Sequence, residues 1–324
     1  MKGGRRPGRP HRQGTPDNVD RADLRRGLIV SHLGKGLAVE TESGDIVLCH
    51  TRSRRLGEAT VGDRVLWMPC EGEQGRVEEI LPRTSLLVRP GYAGRLRHVA
   101  ANLDRVLVVT APAPEPDWLL VDQYLAVCEH RGIAAELVFN KIDLVSDAAA
   151  LDAELAEYRR IGYTTHTLSA RTRQGLDELR ASLRDHCVML AGQSGVGKSS
   201  LTNALLPDKN LRVGEISEKS GLGRHTTTAA TLYHLPEGGD LIDSPGVAVF
   251  GLAEISGRGL ADGYREFRPL IPNCRFNDCR HMQDKGCAVR AAAESGGIPA
   301  ARYQRYLKLL EKLANQTPEA WMAD

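Results

Sequence analysis

Gly192-Gln193-Ser194-Gly195-Val196-Gly197-Lys198-Ser199 is an unbroken G-x-x-x-x-G-K-S, set between an apolar run, His186-Cys-Val-Met-Leu190, and a helix-like stretch over residues 199–206. Glycines let a backbone wrap closely around phosphate, so that its N–H groups and the following helix N-terminus face the anion. In such a loop the Lys198 ammonium reaches the β and γ phosphates, the Ser199 hydroxyl is a Mg²⁺ ligand, and Ser200 follows in the first helical turn. Asp243-Ser-Pro-Gly246, preceded by Asp240-Leu-Ile, begins 44 residues after Ser199. A carboxylate at that strand end suits Mg²⁺, and the Gly246 N–H can sense a γ-phosphate.

Asn140-Lys141-Ile-Asp143 ends another apolar run, Ala135-Glu-Leu-Val-Phe139. An aspartate there can accept from both guanine N1–H and the N2 amino group. Adenine offers no such donor pair and would leave a desolvated carboxylate unpaired, so the feature selects GTP over ATP. Ser169 and Ala170, after the next short strand, fit a supporting contact to the base. In ordinary small GTPases the phosphate loop comes first and the base motif last. Here the base elements at 140 and 169 precede the phosphate loop at 192 and the D-x-x-G at 243, the order expected of a circular permutation.

Cys274, Cys279, His281 and Cys287 supply three thiolates and an imidazole within fourteen residues. This donor set suits a closed structural Zn²⁺ site with no open position for catalysis. Their neighbours Arg275, Asn277, Asp278, Arg280 and Asp284 are too polar for a core. Cys49, Cys70, Cys128 and Cys187 are scattered among apolar residues and are expected to be inert core cysteines.

These residues need elements to hold them. Gly27-Leu-Ile-Val30, Gly36-Leu-Ala-Val-Glu40, Asp45-Ile-Val-Leu-Cys49, Asp63-Arg-Val-Leu-Trp67 and Gly75-Arg-Val-Glu-Glu-Ile80 read as five short strands. That number in about 60 residues suits a small barrel, an OB-fold first and an SH3-like barrel second. Arg52, Arg54 and Arg55 lie between its strands, where they can meet phosphates. From residue 102 strands alternate with helices, as in a mostly parallel sheet covered on both faces. The expected strands cover 103–109, 135–139, 164–168 and 186–190, and the helices 118–130, 148–161, 176–184 and 199–206. After residue 253 the chain turns basic and helical, with 302–313 the clearest helix. The expected division is a disordered basic tail (1–24), an OB-fold RNA-binding barrel (25–90), a circularly permuted α/β GTPase domain (91–254) and a zinc-bearing α-helical domain (255–324).

The 324 residues carry 43 Lys/Arg and 41 Asp/Glu, a net charge of only +2, but the charge is uneven. Residues 1–26 and 256–312 each carry a net +5, whereas 27–255 carry −6. Basic ends around an acidic middle suggest a polyanion held at more than one place. No apolar run approaches the 18 or so residues that span a bilayer, and the first residues lack the apolar core of a secretory signal, so a soluble intracellular protein is expected.

A barrel, a permuted GTPase and a C-x4-C-x-H-x5-C knot together resemble the ribosome small-subunit-dependent GTPases of the RsgA/YjeQ type, from about residue 25 onward. The resemblance implies a cytoplasmic bacterial factor, taken here as a monomer with no membrane association. It would hydrolyse GTP when bound to the 30S subunit and act late in subunit maturation, with its barrel and zinc domain gripping 16S rRNA. The loop Gly221-Leu-Gly-Arg-His-Thr-Thr-Thr228 resembles the family's G-R-H-T-T-T. One of Thr226–Thr228, with Thr227 the choice, would supply a second Mg²⁺ hydroxyl beside Ser199 and Asp243. Val247 stands where Ras-like enzymes place a water-orienting Gln, so unassisted turnover should be slow. His225 is the nearby side chain able to replace that Gln as the catalytic group, the alternative being a solvated loop histidine. Two other readings stay open: an RNA-binding protein that keeps GTP as a structural ligand, and a GTPase with a redox-active cysteine cluster. Intact Lys198, Ser199 and Asp243 argue against the first. His281 and the lack of a C-x-x-C argue against the second.

Overall fold

The computed structural model describes residues 21–33, 36–51, 58–90, 96–207, 230–244, 252 and 255–316. The five anticipated strands are β1 (Arg25–Leu33), β2 (Gly36–Thr41), β3 (Ile46–Thr51), β4 (Arg64–Pro69) and β5 (Gln74–Ile80). Antiparallel pairs β1–β2, β2–β3, β4–β5 and β1–β4, with a parallel β3–β5 pair, close the circuit β1-β2-β3-β5-β4 into the barrel expected of an OB-fold. Its interior is Ile29, Leu37, Val39, Cys49, Val65, Trp67 and Val77. Trp67 fills it because two facing strands carry glycine. A Cβ at Gly27 would lie 3.0 Å from the indole, and one at Gly75 only 2.7 Å. The loop with Arg52, Arg54 and Arg55 lies outside the described residues.

A hairpin the sequence did not announce, β6 (Leu86–Pro90) and β7 (Leu96–Ala101), follows the barrel. The barrel turn leans on it. Asp63 accepts from Arg83 Nε and Nη2 at 2.7 and 2.8 Å, and Asn102 Nδ2 donates to Gly62 O at 2.8 Å.

The second sheet holds β8 (Arg105–Thr110), β9 (Ala134–Phe139), β10 (Thr165–Thr167), β11 (Cys187–Gly192), β12 (Thr231–His234) and β13 (Asp240–Asp243). Their order is β10-β9-β8-β11-β13-β12, parallel except for β12. Helices α1 (Trp118–His130), α2 (Ala148–Ile161), α3 (Leu176–Leu183) and α4 (Lys198–Leu205) connect them. Asp117 and Asp147 start α1 and α2 by accepting from the N–H three residues on, each at 2.9 Å. The run Val121–Cys128 of α1 is buried all round. It has the sheet on one side and the C-terminal helices on the other.

Those helices are α5 (Gly257–Asp262), α6 (Ala288–Glu294) and α7 (Ala300–Gln316). Their contact with α1 and α2 centres on buried charge. Asp122 accepts from Tyr158 Oη at 2.8 Å, from Arg305 Nε at 2.5 Å and from Arg302 Nη1. Arg302 also donates to Glu266 at 2.6 Å and lies 4.5 Å over the Tyr264 ring.

One cysteine departs from expectation. Cys49 and Cys128 are buried and Cys187 partly so, but Cys70 is exposed, because it follows the end of β4 in the Cys70-Glu71-Gly72 turn rather than lying on a strand. Among the described residues no helix is long and apolar enough to cross a membrane.

Candidate nucleotide site and metal centre

All the base and phosphate motifs emerge at one edge of the second sheet, the carboxyl ends of its parallel strands, where open α/β sheets form their binding crevices. β11 runs straight into the phosphate loop. Gly192, Gly195 and Gly197 have φ of 140, 83 and 96°, and a Cβ at Gly192 would sit 2.1 Å from Val109 O. Only glycine permits this path. Lys198 folds back over the loop, donating to Gly192 O and Gln193 O at 2.7 Å each, and burial lowers its pKa. Gln193 Oε1 and Thr110 Oγ1 are buried with no hydrogen-bond partner among the described residues. The glycine-rich loop, the Lys198 ammonium and the N-terminus of α4 together form a cradle suited to a polyphosphate.

The base elements are bonded to this loop directly. Asn140, 1% exposed, donates from Nδ2 to Val196 O at 2.9 Å and accepts from Ala170 N at 3.0 Å. Lys141, at φ 61°, donates to Ala113 O and Gly195 O at 2.6 and 2.7 Å. Lys141 therefore splices three loops together. Asp143 accepts from the Ser169 hydroxyl, and that bond, with the Arg171 guanidinium 2.6 Å away, holds its carboxyl below the usual carboxylate range. Each carboxylate oxygen has two lone pairs, so Asp143 keeps acceptor capacity for a pair of N–H donors. The sequence reading missed Arg171, although it directly follows Ser169-Ala170.

Asp243 ends β13, next to β11 in register Met189↔Ile242, and so points its strand end toward the same edge as Ser199. Ser194, Ser199 and Ser200 are exposed around the start of α4. Thr227, His225, Gly246 and Val247 lie outside the described residues.

The cysteine knot brings its four residues together. One ligand atom from each of Cys274, Cys279, His281 and Cys287 lies within 4.8 Å of the others. His281 Nδ1 is 3.6 Å from Cys274 Sγ and 3.5 Å from Cys287 Sγ. A tetrahedron with Zn–S of about 2.3 Å and Zn–N of about 2.0–2.1 Å has S···N edges of roughly 3.5–3.6 Å, so the set fits. Burial lowers the His281 pKa toward the neutral form a ligand needs, while burial pushes the Cys279 thiol up to about 12, a cost that a dication would offset. Cys287 also starts α6, its sulfur accepting from Arg290 N at 3.3 Å. Tyr303 Oη donates to His281 O at 2.7 Å and ties the knot to α7.

The model of the family described as RsgA GTPase matches residues 80–253. The chain belongs to that family. RsgA 1 of Vibrio vulnificus, named a small ribosomal subunit biogenesis GTPase, is 45% identical over 305 residues, covering 92% of this chain and 86% of that protein. RsgA of Azotobacter vinelandii, with the same description, is 46% identical over 293 residues, covering 89% and 85%. Among solved structures, YjeQ from Thermotoga maritima superposes with a TM-score of 0.73 at 33% identity, covering 90% of this chain and 98% of that one. YloQ, described as a circularly permuted GTPase, gives a TM-score of 0.72 at 27% identity, covering 96% and 100%. The multidomain fold is thus that of the RsgA family: an OB-like barrel, a permuted P-loop GTPase sheet and a helical unit with a Cys/His cluster. Membership carries GTP hydrolysis, and with it a guanine nucleotide and Mg²⁺.

Proposed function

We propose that this protein is a GTPase of small ribosomal subunit biogenesis, binding the 30S subunit through 16S rRNA in the cytoplasm and hydrolysing GTP faster when bound there. The observation that carries the reading is the bonding of Asn140 and Lys141 to Val196 O and Gly195 O, which makes one cradle of a base site and a phosphate site. In this reading Asp143, supported by Ser169 and Ala170, takes the guanine, while Gly192–Ser200 and Gly246 take the phosphates. Ser199, Thr227 and Asp243 would hold Mg²⁺, which neutralises charge developing on the transferred phosphoryl group. Cys274, Cys279, His281 and Cys287 would hold a structural Zn²⁺. His225 orients the attacking water, because the Val247 side chain has no polar atom with which to do so. The barrel (25–90) and the C-terminal unit (255–324) grip rRNA on either side of the GTPase domain (91–254). The uneven charge and the names of the relatives support this arrangement.

The test is GTP turnover with and without purified 30S subunits, with 50S subunits and ATP as controls. Stimulation by 30S alone, with GTP and not ATP, is expected. Its absence would remove the ribosomal assignment. His225→Ala should lose the stimulated rate, and full turnover in that variant would return His225 to a solvated loop residue.

A further inference from the structure

The barrel and the nucleotide sheet are not merely neighbours along the chain. β12 lies inside one continuous eleven-stranded sheet, pairing on one side with β13 and on the other with β1 of the barrel. Thr231 is the Cα partner of Ser31 on β1 and also of Asp243 on β13. One row across three strands therefore runs from the barrel to the carboxylate assigned to Mg²⁺. The side chains of Ser31 and Thr231 are joined as well. The Ser31 hydroxyl donates to Ala230 O at 3.2 Å, which leaves Thr231 Oγ1 to donate to Ser31 Oγ across 3.1 Å.

A second link lies three residues along β12. His234 pairs with Asp240, the first residue of β13, and reaches it through Nδ1 at 2.5 Å. Its other nitrogen, Nε2, is 2.6 Å from Glu40 Oε2 on β2 of the barrel. Carboxylates on both ring nitrogens require both to donate, so the ring is an imidazolium shared between two domains. β13 is only four residues long, Asp240–Asp243. Its first residue is held to the barrel through His234 and its last through Thr231.

We infer that Thr231 and His234 couple the barrel to β13, carrying a displacement of the barrel to Asp243, whose resting place is set by the pairing of β13 with β11. The Ser31–Thr231 pairing and a charged bridge transmit a displacement that a loose linker would absorb. A partner that engages the barrel thereby acts on the strand of the Mg²⁺ ligand without touching the nucleotide. This inference rests on the proposed engagement of the barrel by the 30S subunit.

The experiment uses the full chain with its metals and compares wild type with His234→Gln, Glu40→Gln and the double variant. Intrinsic turnover and GDP affinity should stay at the wild-type level, and the melting temperature should fall by no more than a few degrees. The 30S-stimulated rate should fall on the order of tenfold, within the roughly 5- to 150-fold range of a single coupling between sites. The double variant should fall no further than either single one, since both remove the same bridge. Coupling of binding is reciprocal, so the ratio of 30S affinities with a GTP analogue and with GDP should narrow in the variants. Ser31→Ala, which cuts the row from the barrel side, provides a second handle should a bridge variant fold poorly. Undiminished stimulation in the variants, or an equal fall of intrinsic and stimulated rates, overturns the inference while leaving the 30S reading intact. A wild-type chain with no stimulation overturns both.

Discussion

The two flanking units are fastened to the nucleotide domain in different ways. The C-terminal unit meets α1 and α2 largely through side chains, with Arg302 at 1% and Asp122 at 0% exposure, sealed by Tyr158, Tyr163 and Tyr264. The barrel meets β12 through backbone pairing and a histidine bridge whose ring is 44% exposed. A buried ion cluster has one good arrangement, and any displacement would strand charge in a low dielectric. A half-exposed bridge tolerates water, so the barrel and the strands paired to it can shift together without stranding charge. The first attachment is built to be rigid and the second to be moved, on the same sheet and in the same chain.

The contrast can be broken at its stiffest point first. Removing zinc with a chelator should unfold the knot and the start of α6, since structural zinc sites bind with about 10–16 kcal/mol. The barrel and guanine-nucleotide affinity should survive. Loss of GDP binding on verified zinc removal would show the C-terminal unit to be part of the nucleotide domain's own stability. Next, Arg302→Ala leaves Asp122 and Glu266 short of a buried partner and should lower stability by about 3–5 kcal/mol in denaturant titration. A loss below 1 kcal/mol, on the order expected of a surface pair, would mean this contact is as yielding as the barrel's.

The barrel side should give smaller numbers. Ser31→Ala removes two hydroxyl bonds and should cost about 1 kcal/mol. The gentlest test is pH. Hydrogen bonds to Asp240 first and Glu40 second raise the His234 pKa from its ordinary 6.5 to about 9. Its pair should then contribute fully below pH 6.5 and fade as pH rises through about 9. Solvent exposure limits the contribution to about 1 kcal/mol or less. His234→Gln should therefore flatten stability over that alkaline range, and an unchanged slope would place the bridge outside the folded state's energetics.

Much of this was legible in the sequence because the chemistry is local. The phosphate loop, the base motif and the cysteine knot each carry their residues within a few positions, and the fold merely closes them. The helices at 118–130 and 148–161 fell where the sequence placed them because aspartate caps mark their starts. The hairpin over 86–101 and β12 were not legible. Thr231-Leu-Tyr-His234 is too short for an alternation to stand out, and its pairing with Ser31 spans 200 residues. Arg171 and His234 likewise take their meaning from distant partners, Asp143 and Glu40, which no spacing announces.

The permuted order also has a consequence in time. Chains fold from the N-terminus as they are made, at about 5–20 residues per second. The Asn140 amide waits for Val196 O, its acceptor in the finished site and 56 residues downstream, a delay of roughly 3 to 11 s at that pace. Ser31 waits longer still for Thr231. The base cradle is therefore synthesised before there is a phosphate loop for it to grip, and the two halves of the site can close on each other only after Val196 has been made.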